Sequence, residues 1–101
     1  MLISTHASAG FWDGTKLFQF IEKDVRGGTD YESGAATGYI VGVIDVSQGV
    51  LVCVPAGESG VSMKQLKQIA YNYMQKHPEL WNQSADISVI SAVREAFPCK
   101  K

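Results

Sequence analysis

The sequence lacks an excess of charge of either sign, and this absence narrows the range of partners. Its 101 residues carry nine lysines and arginines against ten aspartates and glutamates, and neither sign is gathered into a block. Proteins that bind nucleic acid or anionic membranes usually do so through a basic patch or stripe. Both are therefore poor candidate partners. The sequence also lacks any apolar run of the roughly 18 to 20 residues that a membrane-spanning helix needs.

Cysteine and histidine are scarce, with two of each, and their spacing does not fit a structural zinc site. No glycine-rich phosphate loop and no nucleophile elbow occurs. A cysteine hydrolase built on Cys53 would need His6 or His77 as its base, and no local signature surrounds these residues. We therefore expect no catalytic residue, no metal, no cofactor and no enzymatic activity.

The two cysteines, Cys53 and Cys99, could form a disulfide or remain two buried thiols. Each lies just outside a predicted regular element, and such positions suit a structural bridge better than a nucleophile. A bridge would close a loop of about 47 residues. By lowering the entropy of the unfolded chain, it would stabilise the fold by about 4 kcal/mol. It would also indicate an oxidising compartment.

The most apolar stretch, residues 38–53, contains a single charged residue, Asp45. The hydrophobic pattern of such a segment is the same for a buried helix and for buried strands, but its length and the absence of proline favour a helix. We predict a central buried helix over Glu32–Ser47. Gly38 and Gly42 lie on one face of it, where they would let a second helix approach closely. Loose packing or a strand bulge is the alternative for this glycine pair.

Helical periodicity and capping residues predict three further helices. The first covers Thr15–Val25. The third follows a capping box, Ser62-x-x-Gln65, and ends at His77 because Pro78 excludes helical geometry from the residue before it. The fourth is capped by Ser84 and ends before Pro98.

Three segments connect these helices. Thr29-x-x-Glu32 has the form of a capping box that opens the central helix. An extended arm, Val50–Pro55, leaves that helix and carries the first cysteine. The connection Glu79–Gln83 joins the third helix to the fourth, and its Trp81 is either a lid on the core or an anchor for a partner.

Residues 1–10 are predicted to be an N-terminal tail that precedes a single domain over residues 11–101, because the chain is close to the commonest domain size. Ala7-Ser8-Ala9 has the small-x-small form of a signal-peptidase site, although no full apolar segment precedes it. The tail is therefore either a remnant of a signal peptide or a run of small residues without a function.

The second half of the chain carries a series of short motifs. They are GYIxGxxD at 38–45, CVP at 53–55, GVS at 60–62, QL at 65–66, YM at 73–74, HPE at 77–79 and AVxxAFPC at 92–99. In this combination, over roughly Gly38 to Cys99, the chain resembles the Rap/Tai immunity proteins of type VI secretion systems. The loop after Cys53 is longer than is usual in that family.

The resemblance implies a small helical periplasmic protein, commonly a homodimer, with a disulfide that corresponds to Cys53 and Cys99. Such proteins protect a bacterium by binding a toxic peptidoglycan amidase injected by neighbouring cells. A loop of the inhibitor plugs the active-site groove of this cysteine amidase. The matching connection here is Pro78–Ser84, and the enlarged loop Ala56–Gly60 is a second candidate. The expected partner-binding residues are Glu79, Leu80, Trp81, Asn82 and Gln83.

Together, the residues and the resemblance predict an all-α fold: a compact four-helix domain with a short extended arm, stapled by one disulfide. The predicted function is that of a periplasmic immunity protein that occludes a secreted peptidoglycan amidase. Two other classes of function are alternatives. One is a small periplasmic chaperone active in acid stress, against which the modest number of acidic residues argues. The other is an orphan structural domain without an effector.

Overall fold

The computed structural model describes residues 11–55 and 60–100, and within them the chain forms four α-helices in the predicted order. One 3-10 turn, Pro78–Leu80, lies between the third helix and the fourth, and the described ranges contain isolated bridges but no β-strand. The predicted all-α class is confirmed. The predicted tail of residues 1–10 and residues 56–59 of the second candidate loop lie outside the described residues. The helices are α1 Gly14–Val25, α2 Tyr31–Ser47, α3 Met63–Lys76 and α4 Ala85–Ala96.

Local capping explains where α1 and α3 begin. The Asp13 carboxylate accepts a hydrogen bond from the backbone N–H of Lys16 (2.9 Å). At α3, the Ser62 hydroxyl accepts from the N–H of Gln65 (3.2 Å), and the Gln65 side chain accepts from the N–H of Ser62 (2.8 Å). The predicted capping box is therefore confirmed. Both caps satisfy N–H groups that have no acceptor inside the helix.

The start of α2 differs from the prediction. Asp30, not Thr29, is the N-cap, and its carboxylate accepts from the backbone N–H of Ser33 (3.0 Å). The helix therefore begins at Tyr31, one residue earlier than predicted. With this N-cap, Glu32 stands at the second helical position and not at the third, so it does not close a capping box. Its carboxylate is instead engaged by the ammonium group of Lys23 from the end of α1.

The core lies where the four helices meet, and each helix contributes one apolar side to it. Aromatic side chains surround this centre: Trp12 stacks on Tyr39 with ring centroids 4.9 Å apart, and Phe18 stacks on Tyr71 at 5.2 Å. No helix among the described residues is long and apolar enough to cross a membrane. The largest buried apolar side chains are Leu17, Ile21, Ile40, Val52, Leu66, Met74, Val89 and Val93.

The position of α2 corrects the prediction of a central buried helix. Only one side of it is buried, at Ser33, Ala36, Ile40 and Ser47. The opposite side is exposed, and a Cβ atom built on Gly38 or Gly42 would meet nothing within 4 Å. The glycine pair therefore does not serve close packing against another helix of the described domain. A helix that is apolar all round has no preferred side in its sequence, and the neighbouring helices decide which side is covered.

The segment after α2 joins the C-terminus through the disulfide Cys53–Cys99, which confirms the predicted bridge. The backbone N–H of Cys53 also donates to the carbonyl of Phe97 (2.9 Å). The Gln48 amide makes two further hydrogen bonds with the backbone of Val54, at 2.8 and 3.1 Å. The extended arm is shorter than predicted, because a turn precedes Val52.

Candidate functional site

The predicted partner-binding residues form a tight turn at one end of the domain. The turn begins with the 3-10 segment Pro78–Leu80. Each backbone hydrogen bond within the turn joins an N–H group to the carbonyl of the residue three positions earlier. The N–H of Leu80 donates to His77 (3.0 Å), that of Trp81 to Pro78 (3.1 Å) and that of Gln83 to Leu80 (3.1 Å). We call Pro78–Ser84 the α3–α4 turn. Its backbone is held by its own hydrogen bonds, so it has a defined shape before any partner arrives.

The start of α1 fixes this turn to the body of the domain. The N–H of Gly14 donates to the carbonyl of Gln83 (2.9 Å), and the N–H and hydroxyl of Thr15 both donate to the carbonyl of Trp81 (2.9 and 3.2 Å). The first N–H groups of a helix lack partners inside the helix. Here the α3–α4 turn supplies the acceptors, so the helix start and the turn stabilise each other.

Gly14 is also required by the closeness of the two segments. A Cβ atom at this position would lie 2.8 Å from the Cα of Trp81 and 3.0 Å from the carbonyl oxygen of Leu80. Both contacts are with backbone atoms, which cannot move aside as a flexible side chain can. Local sequence patterns do not identify Gly14 and Thr15 as residues of the site, because Thr15 and Trp81 are separated by 66 positions.

The indole ring of Trp81 is used inside the molecule. It stacks on Phe18 with ring centroids 4.5 Å apart, and its Nε1–H donates to the carbonyl of Met74 at the end of α3 (2.8 Å). Trp81 and Leu80 are both half-buried. Of the two alternatives for Trp81, the geometry therefore supports the lid on the core. What the ring can offer a partner is its remaining exposed edge.

The exposed surface of the turn is polar. Glu79, Asn82 and Gln83 are exposed to solvent. The His77 imidazole Nδ1 lies 2.9 Å from the Glu79 carboxylate, and this hydrogen bond holds the pKa of Glu79 below its usual value. The carboxylate consequently stays ionised further into the acid range. The turn thus presents one negative charge and two amide side chains on a rigid backbone.

A second feature is a surface cleft of about 340 Å³ between α1 and α3. Its polar wall is the ion pair of Lys67 and Asp24 (2.7 Å), which is largely shielded from solvent. Burial opposes ionisation of Asp24, but the hydrogen bonds from Lys67 and Ser33 outweigh it and lower the pKa of this carboxyl. These charges already satisfy each other, and together with the Ser33 hydroxyl they hold α1, α2 and α3 in contact.

The described residues contain no group of three or more histidine, cysteine, aspartate or glutamate side chains that could hold a metal ion. Both cysteines are in the disulfide. The arrangement at the turn can therefore bind through its shape, its charge and its amide groups.

Comparison with known protein families identifies a match over most of the chain. A family model described as Rap1a immunity proteins matches residues 13–99, a range that includes all four helices, the α3–α4 turn and both cysteines. Among curated proteins, none matches the chain.

Proposed function

This chain belongs to the Rap1a immunity protein family, and on that basis we propose that it binds a type VI secreted peptidoglycan amidase and occludes the active site of that enzyme. The observation that carries the proposal is the family match over residues 13–99. The protein would protect the cell that produces it, and inhibition by occlusion needs no catalytic group on the inhibitor. The proposal includes a homodimer, the state that the family resemblance implies.

The α3–α4 turn is the proposed plug. A cysteine amidase binds a peptide chain in a groove, and a narrow, rigid turn can enter such a groove and exclude the substrate. Its internal hydrogen bonds and its attachment to Gly14 and Thr15 support this role, because a segment that is already ordered loses little conformational entropy on binding. Asn82 and Gln83 would hydrogen-bond to the groove walls, and Glu79 would add a charged contact.

We place the protein in the periplasm, where its proposed target acts. Peptidoglycan lies in this compartment of a bacterium with two membranes. The disulfide Cys53–Cys99 supports the placement, because such bridges persist in oxidising compartments such as the periplasm.

Titration of a candidate amidase with the purified protein tests the proposal, with peptidoglycan cleavage as the measurement. We expect inhibition that is complete near one inhibitor chain per enzyme. A double variant, Asn82→Ala with Gln83→Ala, should weaken inhibition at least tenfold, about 1.4 kcal/mol. The matched control is Asn72→Ala with Gln75→Ala, on exposed positions of α3.

The outcomes separate the two parts of this proposal. If neither double variant changes inhibition, the turn is not the plug, although the protein is still an amidase inhibitor. If the protein inhibits no amidase encoded beside its own gene, the proposed function is wrong.

A further inference from the structure

The outer side of α2 is a feature of the described surface that the fold of a single copy does not explain. Its residues recur at helical spacing and lie within about 60° of one line along the helix. We call them the α2 outer face. All six are exposed, and the apolar side chain of Val46, 82% exposed, lies beside them. The α2 outer face consists of Tyr31, Gly34, Gly38, Val41, Gly42 and Asp45.

This face has the composition of an interface, not of an ordinary solvated surface. A solvated helix face usually carries several charged residues. Over the 17-residue length of α2, the outer face carries one charged residue, Asp45. The apolar surface continues beyond the helix end into the exposed side chains of Val50 and Leu51. Contiguous exposed apolar surface of this kind usually marks a site of protein association.

We propose that the α2 outer face pairs with the same face of a second copy of this chain, in an antiparallel crossing with its two-fold axis at Gly38. The inference deepens the homodimer included in the proposed function and assigns its contact surface, but it does not depend on the identity of the effector. In a two-fold contact, residue i of one copy meets residue j of the other, and j meets i. An axis at Gly38 places the glycines at 34 and 42 opposite each other, so the two backbones can approach closely at the crossing.

Charge decides between the two possible directions. A parallel pairing about a two-fold axis would bring the Asp45 carboxylates of the two copies together, and like charges in contact are unfavourable. The antiparallel register instead places Asp45 beside Tyr31 of the other copy, whose phenol can donate a hydrogen bond to the carboxylate. Asp45 then also lies near the amino end of the other α2, where the helix dipole favours a negative charge.

Two other carboxylates lie at that amino end, and Lys23 offsets one of their two negative charges. Its ammonium group is paired with both Asp30 (3.6 Å) and Glu32. Lys23 itself is half-exposed and lies at the end of α2 that Asp45 of the second copy would approach. The Lys23 ammonium group therefore reduces the repulsion between these carboxylates and the incoming Asp45.

The size of the face sets the expected strength. A helix of this length is about 25 Å long and 10 Å across, so one helix pair covers less than the roughly 800 Å² per partner of a standard interface. We therefore expect a dimer that dissociates on dilution, with a dissociation constant in the micromolar range.

The first experiment measures the mass of the full chain in solution by analytical ultracentrifugation over a range of concentrations. We expect the wild type to be dimeric at concentrations on the order of 100 µM and monomeric well below 1 µM. Gly38→Arg should weaken dimerisation at least tenfold. Because the space above Gly38 is open and arginine favours helices more than glycine does, this variant should fold. Asn72→Arg, on an exposed position of α3, is the control of equal charge and should dimerise as the wild type does.

The second experiment tests the register by cross-linking. The protein's two cysteines are both in the native disulfide, so a cysteine at position 38 would be the one free thiol. Gly38→Cys should form a covalent dimer on mild oxidation, because the two copies of this residue meet at the axis. Gly34→Cys should not, because its two copies stand about 12 Å apart along the helices, beyond the roughly 7 Å between Cα atoms that a disulfide spans.

Three results would overturn the inference. The wild type could remain monomeric at the highest concentration, as it would if another part of the chain covered this face. Gly38→Arg could dimerise as well as the wild type does. Gly38→Arg could also lose amidase inhibition without any change in mass, which would make the face an effector contact. A dimer that the variant disrupts, in a protein that inhibits no amidase, would leave this inference intact and refute the proposed function alone.

Discussion

Single residues decide where the helices of this protein begin, and the two candidate caps of α2 illustrate how. Thr29 and Asp30 are adjacent and both are good capping residues. The structure selects Asp30, whose carboxylate reaches the N–H of Ser33 at 3.0 Å. Ser33 in turn donates its hydroxyl hydrogen bond to Asp24 and contacts the carbonyl of Gly28 (2.9 Å). The choice of cap is therefore tied to the contact between α1 and α2.

We predict that Asp30→Ala lowers the free energy of unfolding by about 1 kcal/mol, because it removes the acceptor at the start of α2. Thr29→Ala should change it by a few tenths of a kcal/mol at most. Urea unfolding followed by circular dichroism compares the two variants. Equal losses would mean that the two residues share the cap in solution.

Two helical glycines, Gly14 and Gly42, have different surroundings that the sequence does not distinguish. A Cβ at Gly14 would meet the backbone of the α3–α4 turn at 2.8 Å, whereas one at Gly42 would meet nothing. Both glycines lie within helices. The same substitution by alanine should therefore have opposite effects at these two positions.

We predict that Gly14→Ala destabilises the fold by about 1 to 3 kcal/mol, because a methyl group must displace the backbone of the turn. It should also weaken amidase inhibition, since the turn is the proposed plug. Gly42→Ala should stabilise the protein by up to about 1 kcal/mol through helix propensity, measured by urea unfolding in dilute, monomeric solution. A stable, fully inhibitory Gly14→Ala protein would contradict the close contact described above.

At the scale of the elements, Asp24 ties three helices together. Its carboxylate contacts Lys67 of α3 (2.7 Å) and the hydroxyl of Ser33 in α2. Lys67 also donates to the hydroxyl of Thr37 (3.2 Å). Because the ion pair is shielded from solvent, it matters more than the exposed pairs at the protein surface.

We predict that Asp24→Asn costs about 2 kcal/mol of stability at pH 7, as expected for loss of hydrogen bonds to a charged group. The pKa of Asp24 is lower in the folded state than in the unfolded state. Its stabilising contribution is therefore complete above the unfolded pKa of about 3.9 and is lost as the pH falls through the folded pKa.

Urea unfolding of both proteins from pH 7 to pH 2 measures this effect. The difference between wild type and Asp24→Asn should shrink steadily below pH 4. Glu95→Gln, on an exposed position of α4, provides the control. A difference that stayed constant across this range would show that the ionised carboxylate does not stabilise the contact.

At the scale of the whole molecule, the disulfide joins the segment after α2 to the end of α4. Its two cysteines are 46 positions apart, so the closed loop contains α3, the α3–α4 turn and α4. The bridge thus restrains the part of the chain that carries the proposed plug. Hydrogen bonds at Cys53 and Gln48 hold the same segment in place independently of the sulfur atoms.

We predict that the double variant Cys53→Ser with Cys99→Ser loses about 4 kcal/mol of stability, the value expected for opening a loop of this length. Because typical domains have only 5 to 15 kcal/mol in total, this variant should unfold at a markedly lower temperature. Differential scanning calorimetry measures the change. A similar loss in wild-type protein treated with a reductant would assign it to the bridge, and an unchanged melting temperature would contradict the prediction.

The sequence by itself determined the all-α class, the number and order of the helices, most of their ends and the cysteine pair that forms the bridge. These features depend on neighbouring residues. The Ser62 and Gln65 side chains cap α3 from within three positions, and Pro78 and Pro98 each stand two positions after the last residue of a helix. The motifs of residues 38–99 also predicted the family, and the family model extends the match back to residue 13, through α1.

The tertiary structure alone decided which side of α2 is buried, which residue caps it and how the α3–α4 turn is held. An apolar run such as residues 38–53 is equally suited to burial on every side, so its sequence contains no signal for the side that remains exposed. Trp81 likewise could face the core or a partner. Phe18 and Thr15 fix its position from distant places in the chain, together with the carbonyl of Met74 at the end of α3. These features depend on which helices pack against each other, and local sequence patterns do not contain that information.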